Sequence, residues 1–532
     1  MAKRLTGFSK LLITLLILAL IYFGFQWVMN NTGIGDQMKQ KAEEAKEAST
    51  SGSTTGGSAT SSNYTGSDRD NTLRVQLVTW GGYGPGLYFN EGAKPNKNSR
   101  YLKDYGFNVE FVLENDLINA LNAWIAGEYD IVVQTADAFP LYTSAPDINQ
   151  YKPKAFMQVD WSRGGDAIIA KRGINTVNDL KGKRIALAVP APAQTLLISA
   201  LEAAGLSYSD VTVIKTSDNL KAAELFRSDD IDAAVVWSPD DILATQDVPG
   251  SKILLTTNEQ SHIIADIFFA KEDVINEKQK MFNGFYEGWM KAVAELKNDA
   301  NREKSAKYLA ELNQLGVEDG LGMISTCYWT THGDNLNFFG MDSKYQGQTM
   351  QDLYGKMSKK FVETGDAEAL APNWRSVINT SAIRNASGLG DAVHSAEAKK
   401  VFTKPTEGDR TATAIATKPV SINFNTGQFQ LTENAKTIID LQFADVAKAF
   451  GNTKVRVEGN TDNVGARAMN VDLSKKRANS VAQYLQQQYG LDPNRFVIVG
   501  NGPDKPVKGC ETNATDACKA KNRRTEFQLI PG

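Results

Sequence analysis

The sequence predicts an α/β protein with a single N-terminal transmembrane helix, and three observations carry that reading. Residues 11–29 are an apolar run broken by little more than Thr14, Gly24 and Gln26; from about residue 73 short apolar strands alternate with amphipathic helices; and a smaller α+β pattern follows a polar break at 396–412. At 532 residues the chain has length for roughly three or four domains with sizeable cores.

The N-terminal run comes first. Residues 1–10 carry Lys3, Arg4 and Lys10, and 11–29 would span about 28 Å as a helix, close to the hydrocarbon thickness of a bilayer. The run ends in Phe25, Trp27, Val28 and Met29 with no small-x-small cleavage site, so a retained anchor is expected, with residues 1–10 in the cytoplasm. No Asp, Glu, Lys or Arg falls within 11–29. Residues 37–48 form a short charged helix candidate and 49–67 are nearly all Ser, Gly and Thr; 30–70 is expected to be a flexible linker reaching on the order of 35 Å.

In the central region, 73–79 reads as a strand, and Leu117, Ile118, Leu121, Trp124 and Ile125 line one helix face before a strand at 130–134. A strand at 183–189 leads into a helix over 193–204, followed by a strand at 211–215, a helix near 220–226 and a strand at 231–237. This alternation predicts a mostly parallel sheet covered by helices, with ligands beyond the carboxyl ends of the strands. Residues 396–412 are expected to be a second linker.

The last domain, 413–532, has its first clear strand at 420–425. A helix over 433–450 is capped by Thr432 and presents Ala435, Ile438, Ile439, Phe443, Val446, Ala447 and Phe450 at helical spacing. Lys454-Val455-Arg456-Val457-Glu458 alternates as a half-buried strand, a helix begins near Leu473, and further strands are expected at 495–499 and 524–530. Leu473, Arg477, Val481 and Leu485 recur every four residues, which places Arg477 on an apolar stripe. A guanidinium there needs an anion. Asp462, in the turn before the helix, either pairs with it or stands opposite it across a ligand that carries both an ammonium and a carboxylate.

Composition excludes several functions. With 58 basic against 61 acidic side chains and no long basic run, nucleic acid is not an expected partner. The three histidines, His262, His332 and His394, lie in separate segments without metal-ligand spacing, so neither a metal nor a cofactor is expected. Cys510 and Cys518 sit in a polar loop with no histidine nearby and are expected to form a disulfide; Cys327 is expected to be a buried free thiol. No G-x-S-x-G, phosphate loop or Cys-His neighbourhood is present, and an enzyme is not expected.

The stretch Thr461-Asp462, Gly465, Asn470, Leu473-Ser474, Arg477-Ala478, with Asn522-Arg523-Arg524 later, resembles the OmpA-like peptidoglycan-binding domain over about 115 residues. The resemblance implies that Asp462 and Arg477 hold the zwitterionic end of the diamino acid in the peptidoglycan stem peptide, with Thr461, Asn470 and Asn522 around them. Asn460 departs from the family, which has His there.

Three further stretches resemble the substrate-binding proteins of bacterial uptake systems for sulfonates, nitrate and related solutes: Val159 to Ala167, Asp179-Leu180-Lys181-Gly182-Lys183, and Ile231 to Pro239. This implies that 71–395 adopts a bilobal periplasmic-binding-protein fold, two α/β lobes closing on a ligand, with the second lobe at about 163–263 and a return to the first near 266–270. On that fold the ligand candidates are Trp80, Gly81, Gly82 and Tyr83 after the first strand, Thr135 and Asp137 after 130–134, Trp161, Ser162 and Arg163 at the crossing, and Gln194, Thr195, Trp237 and Asp240 in the second lobe. Glycines beside aromatics at strand ends let backbone amides approach a ligand, and the helix after Pro192 points amides at an anion. Two solute classes remain open. Arg163 argues for an anion, whereas the aromatic count, with Asp137 or Asp160 as counter-charge, suits an organic amine. The run 190–193, Pro-Ala-Pro-Ala, lacks the small hydroxyl residues of the family.

Together these readings describe an inner-membrane-anchored bacterial protein, its bulk in the periplasm, that binds a small solute and attaches to peptidoglycan, serving a permease or a sensing partner. The alternative is a MotB-like stator or scaffold subunit beside a MotA- or TolQ-like membrane partner, using the bilobal domain for docking. Ion-carrying subunits of that kind need an intramembrane carboxylate, and 11–29 has none.

Overall fold

Strand β1 (Thr72–Leu77) is buried at nearly every position because both faces of its sheet are covered by helices. It runs parallel to β2 (Asn108–Leu113), with Val75 opposite Phe111. The computed structural model describes residues 69–189, 192–422, 424–425 and 427–532. The predicted membrane helix at 11–29, residues 1–10 and the linker through 68 lie outside the described residues, as do Pro190 and Ala191. Among the described residues no helix is long and apolar enough to cross a membrane.

The first lobe continues through β3 (Val132–Thr135), tied to β1 by the Gln76 N–H donating to the Ile131 carbonyl at 2.9 Å. Antiparallel to β3 runs β10 (Ala265–Lys271), followed by β4 (Pro153–Ser162) and β11 (Cys327–Trp329). Phe111, Phe268, Phe285 and Trp289 fill the core beside it, Trp289 meeting Phe268 edge-on with centroids 5.2 Å apart. The second lobe is a five-stranded sheet in the order β7-β6-β8-β5-β9, from β5 (Asp166–Ala170), β6 (Arg184–Ala188), β7 (Thr212–Thr216), β8 (Ala233–Trp237) and β9 (Lys252–Thr256). Both sheets are mixed rather than mostly parallel: β5 is antiparallel to β8 and β9, and β10 to β3 and β4. The strands that carry the chain between lobes reverse its direction, which alternation of elements does not reveal.

Two short crossings join the lobes, from Ser162 to Asp166 and from Thr256 to Ala265. They are bonded to each other, the Gly164 N–H donating to the Thr257 hydroxyl at 2.8 Å and Arg163 Nε to the Ser261 carbonyl at 3.2 Å. On the Leu117–Ile125 helix only part of the expected face is inward: Trp124 is buried, but Ile118 is 72 % exposed.

The C-terminal domain has a four-stranded sheet in the order β12-β15-β13-β14, from β12 (Ala416–Val420), β13 (Lys454–Asn460), β14 (Phe496–Gly502) and β15 (Thr525–Ile530). Its first strand ends where the sequence reading began one, at Val420, and residues 421–422 and 424–425 are irregular. The expected helix at 433–450 is Glu433–Ile439 and Asp445–Ala449 joined by a π turn, and Thr432 caps it by accepting from the Ala435 N–H. The helix expected from Leu473 starts at Arg467; its first turns are solvent-exposed and so leave no apolar signature. Residues 396–412 lie against their neighbours: Glu397 pairs with Arg163, and Asp409 with Lys454 at 3.0 Å.

Candidate functional site

Two places merit attention, one in each folded part. In the C-terminal domain β13 ends at Asn460, a turn follows, and the helix Arg467–Tyr489 returns over the sheet. Gly465 closes the turn at φ +95°, a conformation that favours glycine, and Asn470 Nδ2 fastens it by donating to the Val464 carbonyl at 3.0 Å. Asp462 is held with Oδ1 accepting from the Val464 N–H at 3.1 Å and Oδ2 from Arg523 Nη1 at 2.6 Å. Arg477 donates from Nε to the Gln428 carbonyl at 3.0 Å and from Nη2 to the Asn425 carbonyl at 3.4 Å, its guanidinium lying 4.8 Å from the Phe424 ring centroid.

Asp462 and Arg477 therefore do not bond to each other, although they feel each other's charge: burial lowers the Arg477 pKa and Asp462 opposes the shift. Each is oriented by other groups, which leaves a carboxylate and a guanidinium side by side. A zwitterion presents the complementary pair. Thr461 is buried with its hydroxyl donating to the Asp462 carbonyl at 2.8 Å. Asn522 is turned inward instead, accepting from the Val507 N–H at 2.7 Å and donating to the Cys510 carbonyl and Asn513 Oδ1, both at 2.9 Å. It braces the loop closed by the Cys510–Cys518 disulfide. Asn460 accepts from Asn501 Nδ2 at 3.0 Å.

The second place is the junction of the lobes. The register sets Asp266 on β10 opposite Asp160 on β4 and Thr135 on β3, so carboxyls from adjacent strands share one face of the sheet. Asp166 begins β5 just across the hinge, and Asp137 follows β3. All four are buried. Trp80 Nε1 donates to Asp160 Oδ2 at 2.9 Å, the Tyr83 hydroxyl to Asp266 Oδ2 at 2.6 Å, Ser162 to Asp166 Oδ2 at 2.6 Å and Thr195 to Asp137 Oδ2 at 2.5 Å. Gly82 makes room for this: a Cβ there would sit 1.5 Å from Asp160 Oδ2.

Burial pushes Asp137 up to about 7 and Asp166 to about 6; Asp160 and Asp266 are raised too, by burial first, with Asp266 adding to the shift of Asp160. None of the four has an ion-pair partner among the described residues, where no group of three or more His, Cys, Asp or Glu is spaced to hold a metal ion.

Several expected ligand groups are otherwise engaged. Arg163 grips Glu397 with both Nη atoms at 2.8 Å and lies over the Tyr328 ring, and these bonds, outweighing burial, hold the Glu397 carboxyl near 2. Trp161 alternates with Asp160 on β4, so it faces the other side and packs edge-on against His262 and Phe338. Gln194 donates to Asp366 Oδ2 at 2.6 Å. Trp237, opposite Asp166 in the β5–β8 register, remains 44 % exposed. Cys327 is a free, half-buried thiol.

Residues 423–523 match the OmpA family model, and residues 96–302 match the model described as NMT1/THI5 like. The C-terminal domain is an OmpA-family domain. It is 36 % identical over 110 residues to outer membrane porin F of Pseudomonas aeruginosa, a match taking in 21 % of this chain and 30 % of the relative. It is 40 % identical over 84 residues to the peptidoglycan-binding protein ArfA of Mycobacterium tuberculosis, 16 % of this chain and 24 % of that one. The chain thus spans less than a third of either relative. The periplasmic aliphatic sulphonate binding protein SsuA from Escherichia coli superposes with a TM-score of 0.46 at 17 % identity, covering 63 % of this chain and 97 % of that one.

Sequence reasoning missed Arg523 in the OmpA-family domain as the partner of Asp462, though it stands inside the quoted Asn-Arg-Arg run. At the lobe junction it missed Asp266 and Asp166. Asp166 lay in the Val159 to Ala167 stretch and Asp266 at the return to the first lobe, but only strand register sets Asp266 beside Asp160, and only the crossing between the lobes brings Asp166 near them.

Proposed function

We propose that this protein is an inner-membrane-anchored, periplasmic solute-binding protein tethered to the cell wall: residues 11–29 anchor it, 30–70 give it reach, the two lobes close on a small solute for transport or sensing, and the OmpA-family domain grips peptidoglycan. The observation that carries the reading is the separation of Asp462 from Arg477. Arg523 and the Asn425 and Gln428 carbonyls orient the two groups, leaving both available to the ammonium and carboxylate of a stem-peptide diamino acid. Sedimentation with purified sacculi tests it. The wild-type chain should pellet with the wall, and Asp462→Ala combined with Arg477→Ala should reduce pelleting at least about tenfold, as expected for losing two charge-assisted contacts. Equal pelleting of both proteins sinks the assignment. The solute half of the reading rests on the two hinge crossings and the polar groups at their junction.

A further inference from the structure

We propose that the junction between the lobes receives a small organic ammonium cation, held among Asp137, Asp160, Asp166 and Asp266 with Trp80 and Trp237 beside it. This rests on the solute-binding reading above and names the class of its solute.

The first argument is charge. Three of these carboxyls belong to the first lobe and Asp166 to the second, so the cluster straddles the hinge. Carboxyls on adjacent strands repel when ionised, and burial without a counter-ion is costly; a cation between them relieves both. The other charged or titratable groups near them are Tyr83, bonded to Asp266, and Cys327, which senses Asp160, Asp266 and Arg302. None of these supplies a positive partner to the carboxyls themselves.

A second observation is independent of charge. Asp137 is wholly buried, and while its Oδ2 accepts from Thr195, its Oδ1 has no hydrogen-bond partner among the described residues. The unpartnered atom is an acceptor, so the ligand that completes it is a donor, as an ammonium N–H is.

The groups that would welcome an anion are already taken by carboxylates of this chain. Arg163 holds Glu397, Gln194 holds Asp366, and Thr195 holds Asp137. The aromatic pieces also fit a cation: Trp80 spans from Asp160 to the hinge glycine Gly165, where a Cβ would lie 2.3 Å from its ring, and Trp237 stays exposed beside Asp166. The carboxyls do not converge as a metal site does, so an extended organic cation fits better than a bare divalent ion.

Isothermal titration of the full chain in detergent, at pH 7.5, tests the proposal with choline, putrescine and benzylamine against methanesulfonate, nitrate and calcium. At least one amine should bind, Asp160→Asn and Asp166→Asn should each weaken it about tenfold or more while circular dichroism stays unchanged, and the anions should give no heat. Because choline carries a fixed charge, its affinity if bound should fall from pH 8 to pH 5.5, by about tenfold per pH unit for each proton displaced. Binding of methanesulfonate, nitrate or calcium with the amines silent overturns the inference and leaves the solute-binding reading standing. Silence from all probes overturns both. Amine binding unaffected by both variants also overturns it, because the site then lies elsewhere.

Discussion

At the scale of single residues, the buried aspartates make the strongest physical statement. Burial raises the folded-state pKa of Asp266 above its unfolded value of about 4, so the native chain keeps a proton there that the unfolded chain has already lost. The unfolded state then binds fewer protons, and this group's contribution to stability declines as pH rises from about 4 towards neutrality. Asp266→Asn removes that penalty while keeping an acceptor for Tyr83. Measured by urea unfolding without solute, the variant should match the wild type near pH 4 and exceed it by about 1–3 kcal/mol at pH 8. A constant difference across that range would mean the carboxyl is not charged at a cost. Residues differ in how readable they were. Asp462 and Arg477 lie close in the chain and could be matched from spacing; Asp266 meets Asp160 only through strand pairing between distant segments, and Arg163 met Glu397 because a stretch read as linker folds back.

At the scale of elements, close approach of helix and sheet positions the C-terminal site. Helix Arg467–Tyr489 crosses β13 and β14 at two glycines: a Cβ on Gly459 would sit 2.2 Å from the Ser474 carbonyl oxygen, and one on Gly500 would sit 2.6 Å from the Lys475 backbone nitrogen. Backbone cannot yield as a side chain can, so Gly459→Ala should lower stability by about 1–3 kcal/mol and shift Arg477 away from Asp462, weakening sacculus binding as well. Unchanged denaturant midpoint and unchanged pelleting would contradict this. Most strands and helices were legible because period and turn residues are local signals, as with 73–79 and 211–215. The exceptions share a cause: the exposed start of the Arg467 helix and the irregular residues 421–422 and 424–425 are fixed by packing partners rather than by their own pattern.

At the scale of the whole molecule, the C-terminal domain is not merely appended to the lobes. Asn178 on the second lobe makes a two-way bond with Thr417, donating to its carbonyl at 2.9 Å and accepting from its N–H at 2.8 Å, and the Val177 N–H donates to the Ile415 carbonyl at 2.9 Å. Beneath these contacts Val177, Leu201 and Ala204 share one apolar core with Ala416 and Val420. The domain also reaches the first lobe, with Lys448 3.5 Å from Asp352 and Gln346 Nε2 donating to the Gln488 carbonyl at 3.0 Å. A continuous core makes the second lobe and the C-terminal domain one cooperative unit, whereas the aromatic core of the first lobe is separate. Asn178→Ala leaves the Thr417 backbone groups without their partners, a loss of about 1–2 kcal/mol. Hydrogen exchange followed by mass spectrometry should then show protection falling together in β6 and in β13, on opposite sides of the contact, with β1 and β2 unchanged. A fall confined to β12 would show that the interface frays without linking the two cores, and lobe motion would then proceed without reference to the domain bound at the wall.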